Sequence, residues 1–186
     1  MILPIIGFGD SVLRQKCSPI DKDYPNLSVL IDNMWQTMYK SEGVGLAAPQ
    51  VGLKIRLFIV DTVPFANRRK KDFKGIKKVF INAEIIEQNG DLWGYEEGCL
   101  SIPGIRETVM RKPTISIKYF DENFTEHTDT FDDINARVIQ HEYDHIEGIL
   151  FIDHLSTLKK KLIQPKLLKI QKGQVDVEYK MKFATK

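Results

Sequence analysis

The stretch His141-Glu142-Tyr143-Asp144-His145 places two imidazoles four residues apart with a carboxylate beside the first. On a helix, positions i and i+4 share one face, so both rings can converge on one metal ion. A divalent metal lowers the pKa of a water molecule, and Glu142 next to it can take the proton. A helix with two unrelated histidines would show the same spacing. Only four histidines occur here, however, and two stand in this pattern. His127 and His154 have no such arrangement and read as surface or capping residues.

Two imidazoles need a third ligand. Downstream the chain offers His154, nine residues past His145; upstream it offers Cys99, in Glu97-Gly98-Cys99-Leu100-Ser101. A thiolate suits zinc or ferrous iron. The glycine before Cys99 and the turn-like Ser101-Ile102-Pro103-Gly104 after it favour the cysteine over an inert, buried role. Cys17 has no ligand-like neighbours and reads as structural. A third constellation, Gly43-Val44-Gly45-Leu46-Ala47-Ala48-Pro49-Gln50, offers small residues that let backbone approach a substrate closely, although a tight turn after a helix would look the same.

These groups must be held by regular elements. Leu27, Leu30, Ile31, Met34 and Met38 fall at helical spacing and predict a helix over 27–38, with Gly43 beyond it. Residues 55–61 and 78–82 read as strands, the basic stretch 66–75 as a loop, and Asn89-Gly90 as a turn suited to a hairpin. Residues 114–120 alternate, with Ile115, Ile117 and Tyr119 on one face, and 126–131 can pair back on them after the turn at 121–123. The metal helix is expected from Asp133 to Ile146, capped by Asp132 or Asp133 and stopped near Gly148. Pro165 is expected to open a short helix ending at Gly173, and Val175–Phe183, apolar and charged in strict alternation, a final half-buried strand. The expected fold is α+β: antiparallel strands around a central metal-binding helix, with a short C-terminal helix and a last strand, in a single domain over 1–186.

At 186 residues and 42% apolar, the chain can bury one core. No apolar run is long enough to span a bilayer, the first residues lack the pattern of a secretory signal, and two cysteines make no disulfide framework, so a cytoplasmic location without a membrane partner is expected. The net charge of +2 is unevenly spread: residues 159–186 carry nine lysines against Asp176 and Glu178. A second basic cluster, Arg68-Arg69-Lys70-Lys71, reads as a solvated loop, whereas the lysine-rich tail could meet RNA.

Taken together, the stretches at 43–50, 97–101 and 140–145 resemble the peptide deformylase family, which shows a G-φ-G-φ-A-A-x-Q, an E-G-C-L-S and a Q-H-E-x-D-H stretch in that order. The resemblance covers roughly residues 5–155; the short helix and alternating strand after it look unlike members that end in one long helix. It implies hydrolysis of N-formylmethionyl peptides to formate and a free methionine, with Cys99, His141 and His145 as ligands of one divalent ion, Fe2+ by family association and Zn2+, Ni2+ or Co2+ as alternatives. It also implies Glu142 as acid/base, with the Gln50 amide and Leu100 N–H as donors to the formyl oxygen. Val44 and Gly45 would pair with the peptide backbone, Val138 would line the methionine pocket, and Arg106 would lie near the peptide. Arg137 either faces that pocket or packs against an acid such as Glu97; Glu97 reads as a scaffold, and Asp144 as a residue that orients its surroundings. The lysine-rich tail would touch the ribosome, and no DNA partner is expected. An H-E-x-x-H peptidase and a silent RNA-binding metalloprotein are the competing readings; the intact Glu142 and Gln50 speak against silence.

Overall fold

Residues 57–61, Leu-Phe-Ile-Val-Asp, are apolar on both faces, which only a strand covered on both sides can satisfy. The computed structural model, which describes residues 1–68 and 73–184, places them in the middle of such an arrangement. In chain order the elements are β1 (Ile5–Ile6), α1 (Leu27–Lys40), β2 (Gly45–Ala47), β3 (Leu57–Asp61), β4 (Lys77–Asn89), β5 (Trp93–Cys99), β6 (Ile102–Arg111), β7 (Thr114–Phe120), β8 (Glu126–Asp132), α2 (Asp133–Ile146), α3 (Thr157–Gln171) and β9 (Met181–Lys182). β2-β3-β4-β7-β8 form an antiparallel sheet, β5-β6 a separate hairpin, and β1-β9 a short parallel pair.

The five-stranded sheet divides α1 from α2. Leu57, Ile59, Val79 and Ile81 pack with Leu27, Ile31, Met34 and Met38 of α1. The alternate residues Phe58, Val60 and Phe80 join Ile115, Ile117 and Tyr119 against Ile134, Val138 and Ile139 of α2. Phe58 stacks on Phe80 at 4.8 Å between ring centroids, and Phe80 meets Tyr119 at 4.4 Å. Removing one such ring would cost about 3–5 kcal/mol. α2 is thus pressed onto a rigid surface, and the positions of His141 and His145 inherit that rigidity.

The expected α+β class, the helix from residue 27, the alternation in β7 and the span of α2 all appear. Other expectations need correction. Gly90 does turn the chain, with φ +88°, but makes no hairpin: β4 continues to Asn89 beside β7, and β5 leaves to pair with β6. The β5-β6 hairpin was not expected. Trp-Gly-Tyr-Glu-Glu-Gly-Cys shows no apolar alternation, and a bulge opposite Gly98 and Cys99 interrupts the period of β6. The tight turn is Leu100-Ser101, closed by the pair Cys99 and Ile102. Asp132 sits at the N-cap of α2 without a side-chain capping bond. Of the basic cluster, Arg69, Lys70 and Lys71 lie outside the described residues.

The C-terminal helix is long rather than short. The Ser156 hydroxyl accepts the Lys159 N–H at 3.3 Å and starts α3 nine residues before Pro165, which lies inside it. Both Pro165 and Lys161, four residues earlier, are exposed, so the carbonyl deprived of its donor can bond water. From Val175 to Phe183 the expected alternation of half-buried and exposed residues holds, but only Met181–Lys182 join a ladder. Among the described residues, no helix is long and apolar enough to cross a membrane.

Candidate active site

Cys99 ends β5, and His141 and His145 lie one turn apart on α2; their ligating atoms all fall within 4.8 Å of one another. Cys99 Sγ is 3.3 Å from His145 Nε2. The His141 Nδ1–H donates to Glu97 Oε2 at 2.9 Å, which fixes the tautomer and leaves Nε2 as the free ligand atom. One soft thiolate and two imidazoles fit Zn2+ or Fe2+, and three protein ligands leave a coordination position for substrate chemistry. Burial alone would push the Cys99 thiol up; the adjacent His145 and His141 outweigh it and bring it down to about 5. A ready thiolate at neutral pH is what a metal ligand requires. Cys17, by contrast, is buried and pushed up to about 11, as an inert structural thiol should be.

Glu97 is the hub behind the ligands. Besides His141 it accepts from Arg111 Nε at 2.8 Å and Nη2 at 3.0 Å, and from Arg137 Nη1 at 3.0 Å. Burial opposes its charge, but the bonds to His141 and Arg111 prevail and hold its carboxyl well below the usual carboxylate range. Arg111 also reaches Asp144 Oδ2 at 2.7 Å, to which His154 Nε2 bonds at 2.8 Å. Asp144 therefore orients its surroundings and takes no part in the ligand cluster. His154 is tied to Asp144 and stands outside the Cys99, His141 and His145 group. Arg137 packs against the acid: it bonds Glu97 and the carbonyls of Val109 and Trp93, with its guanidinium 4.5 Å from the Trp93 ring centroid. No sequence motif marks Arg111, because its partners come from β5 and α2, which only the fold brings together.

Glu142 sits one residue past His141, 4% exposed, and its Oε2 has no hydrogen-bond partner. Burial pushes its carboxyl up, to about 7, against the pull of the two imidazoles. That value suits proton transfer in both directions near neutrality. Gly45 is the price of its position: a Cβ there would lie 2.4 Å from Glu142 Oε1 and 2.7 Å from its Cδ. In the turn after β2, the Gln50 Oε1 accepts the Ala47 N–H at 2.8 Å. This orients the amide so that Nε2 points toward Cys99 Sγ and Ser101 Oγ, each 3.4 Å away.

These residues border one cavity of about 1290 Å³. Val44, Gly45, Gln50, Cys99, Leu100, Arg106, Val138, His141 and Glu142 all line it; His145 is buried behind them. Arg106 is exposed at the rim and paired with Glu96 at 2.7 Å. Leu162, Lys166, Val177 and Tyr179 reach the same cavity from the C-terminal region, which the sequence motifs did not indicate.

A sequence model of the polypeptide deformylase family matches residues 2–161. The chain is 59% identical to a peptide deformylase of Christiangramia forsetii, over 98% of this chain and 96% of that one. The crystal structure of a peptide deformylase from Legionella pneumophila superposes with a TM-score of 0.80 at 37% identity, covering 94% of this chain and 98% of the other. A Plasmodium falciparum peptide deformylase in complex with inhibitor gives 0.77 at 34% identity, covering 90% and 99%.

Proposed function

The chain belongs to the peptide deformylase family, metal-dependent hydrolases that remove the N-formyl group from nascent chains, and we propose that Cys99, His141 and His145 hold its metal, Glu142 is its acid/base, and Gln50 with the Leu100 N–H binds the developing oxyanion. The observation that carries this assignment is the buried, unpartnered Glu142 carboxylate beside the three converging ligand atoms, in a cavity that also receives the Gln50 amide. Fe2+ is the ion of this reading, with Zn2+, Ni2+ and Co2+ acceptable to the same donors. When bound, it supplies Lewis acidity and a more acidic water.

The chain's own groups do the rest. β2 is the edge of its sheet, so the backbone at Val44 and Gly45 can take an extended peptide as an added strand. That pairing places the formyl group over Glu142, and Val138 lines the pocket for the methionine side chain. Glu142 takes a proton from water as water adds to the formyl carbon. Negative charge gathers on the formyl oxygen, where Gln50 Nε2 and the Leu100 N–H donate. Glu142 then passes the proton to the departing amine, which leaves as a free N-terminus with formate.

The deciding experiment measures formate release from a formyl-methionyl tripeptide by protein purified without oxygen, with metal assayed on the same sample. Glu142→Ala should keep its metal and lose on the order of 10²–10⁴-fold in kcat; wild-type turnover in that variant would sink the assignment. We further propose a cytoplasmic enzyme that docks on the ribosome through α3, where Lys160, Lys161, Lys166, Lys169 and Lys172 are exposed. Binding to ribosomes should weaken steeply between low and moderate salt; salt-insensitive or absent binding refutes it.

A further inference from the structure

The Leu100-Ser101 turn joins β5 to β6 with two residues outside the ladder, so its carbonyls need partners from elsewhere. Both find them in segments remote in sequence. The Phe8 N–H donates to the Ser101 carbonyl at 2.8 Å, and the Tyr179 hydroxyl donates to the Leu100 carbonyl at 2.8 Å. Gln50 Nε2 adds a longer contact to the Ser101 hydroxyl at 3.4 Å.

The two clamping segments are themselves bound together. Ile5 and Gly7 N–H groups donate to the carbonyls of Lys180 and Lys182, each at 2.8 Å, on either side of the β1-β9 pair. Phe183 lies against Gly7 so closely that a Cβ there would meet its ring at 2.4 Å. Leu100, Tyr179 and Met181 each pack against the α1-side cluster, and Tyr179 also borders the cavity. A tyrosine is suited to this place: its ring fills apolar space while its hydroxyl reaches a half-buried carbonyl.

We infer that Tyr179 is a positioning residue for deformylation: its hydroxyl holds the Leu100-Ser101 turn so that the Leu100 N–H stays aimed at the formyl oxygen. This rests on the proposed role of that N–H. A donor that is preset costs no reorganisation when charge develops, so loosening it weakens transition-state binding more than substrate binding. The motif-poor C-terminal region is then part of the catalytic apparatus, though it touches no reacting atom.

The test is Tyr179→Phe, which keeps the ring packing, compared with wild type in the zinc-loaded form. Steady-state kinetics on a formyl-methionyl tripeptide should show kcat down by about three- to tenfold, the worth of one hydrogen bond, with KM within about twofold. Hydrogen exchange of the Leu100 amide should quicken by about as much, while α2 amides stay unchanged. An unchanged kcat with unchanged Leu100 exchange overturns the inference. So does a rise in KM alone, which would make Tyr179 a substrate contact. A metal-loaded wild type that releases no formate would instead defeat the functional assignment, and the Leu100 exchange would still decide whether Tyr179 holds the turn.

Discussion

α2 and α3 are nearly equal in length, 14 and 15 residues, yet they are different kinds of helix. Eleven residues of α2 are buried, six of them polar or charged: Asn135, Arg137, Gln140, His141, Glu142 and His145. Three residues of α3 are buried, Ile163, Leu167 and Ile170. A helix that buries polar groups must give each a partner or a task. Asn135 bonds Thr62 and the Lys74 carbonyl, and Gln140 bonds the carbonyls of Lys112 and Ala136. Three buried atoms of α2 have none: Glu142 Oε2 and His145 Nδ1, on residues of the candidate site, and Nε of Arg137, whose other two nitrogens hold Glu97 and the Trp93 carbonyl. Enclosure without satisfaction gathers on α2 at and beside the candidate site; α3, with its polar residues in water, carries no such signature.

The contrast can be broken at several points. The largest effect is the loss of turnover in Glu142→Ala; comparable loss from any exposed α3 residue would erase the distinction. Next comes Glu97→Gln, which removes the charge that two arginines and His141 share. It should weaken metal affinity by roughly 10–100-fold and lower stability by about 3–5 kcal/mol, because the arginines are left buried and underpaired. Competition with a chelator and a denaturant titration measure the two separately, and unchanged metal affinity would reduce Glu97 to a structural residue. The smallest effect is Pro165→Ala in α3. It restores a helical N–H and should stabilise by up to about 3 kcal/mol, raising the thermal midpoint by a few degrees while turnover on a tripeptide stays the same. A drop in turnover there would show that α3 shapes the cavity more than its exposure implies.

What could be read from the sequence follows the same division. His141, Glu142 and His145 were legible because helical spacing alone converges them, and α2 runs over the span their pattern predicts. Cys99 and Gln50 were legible through the resemblance of their local stretches. Arg111 and Tyr179 were not, because each acts on a partner from another element and no local period encodes such a meeting; for Arg137 the contact with Glu97 was one of two alternatives, and the structure chose it. The hairpin that carries Cys99 escaped for a related reason: its buried positions are shared with Glu97 and Arg111, so polar residues stand where alternation looks for apolar ones. The helix expected at Pro165 shows the opposite failure, a strong local signal overridden because the position is exposed and the defect can be solvated.

The pairing of β1 with β9 bears on the order in which the molecule can be completed. Ile5 precedes Met181 by 176 residues, so it is made well before its partner. A contact across so long a separation meets its loop-closure entropy late and forms after the segments between have packed. On the ribosome, the central sheet and α2 can assemble while the first strand still waits for its partner. If Tyr179 holds the Leu100 turn, Cys99, His141 and His145 can come together before that turn is fixed. The ordering of the turn is then timed by the arrival of the segment around Tyr179.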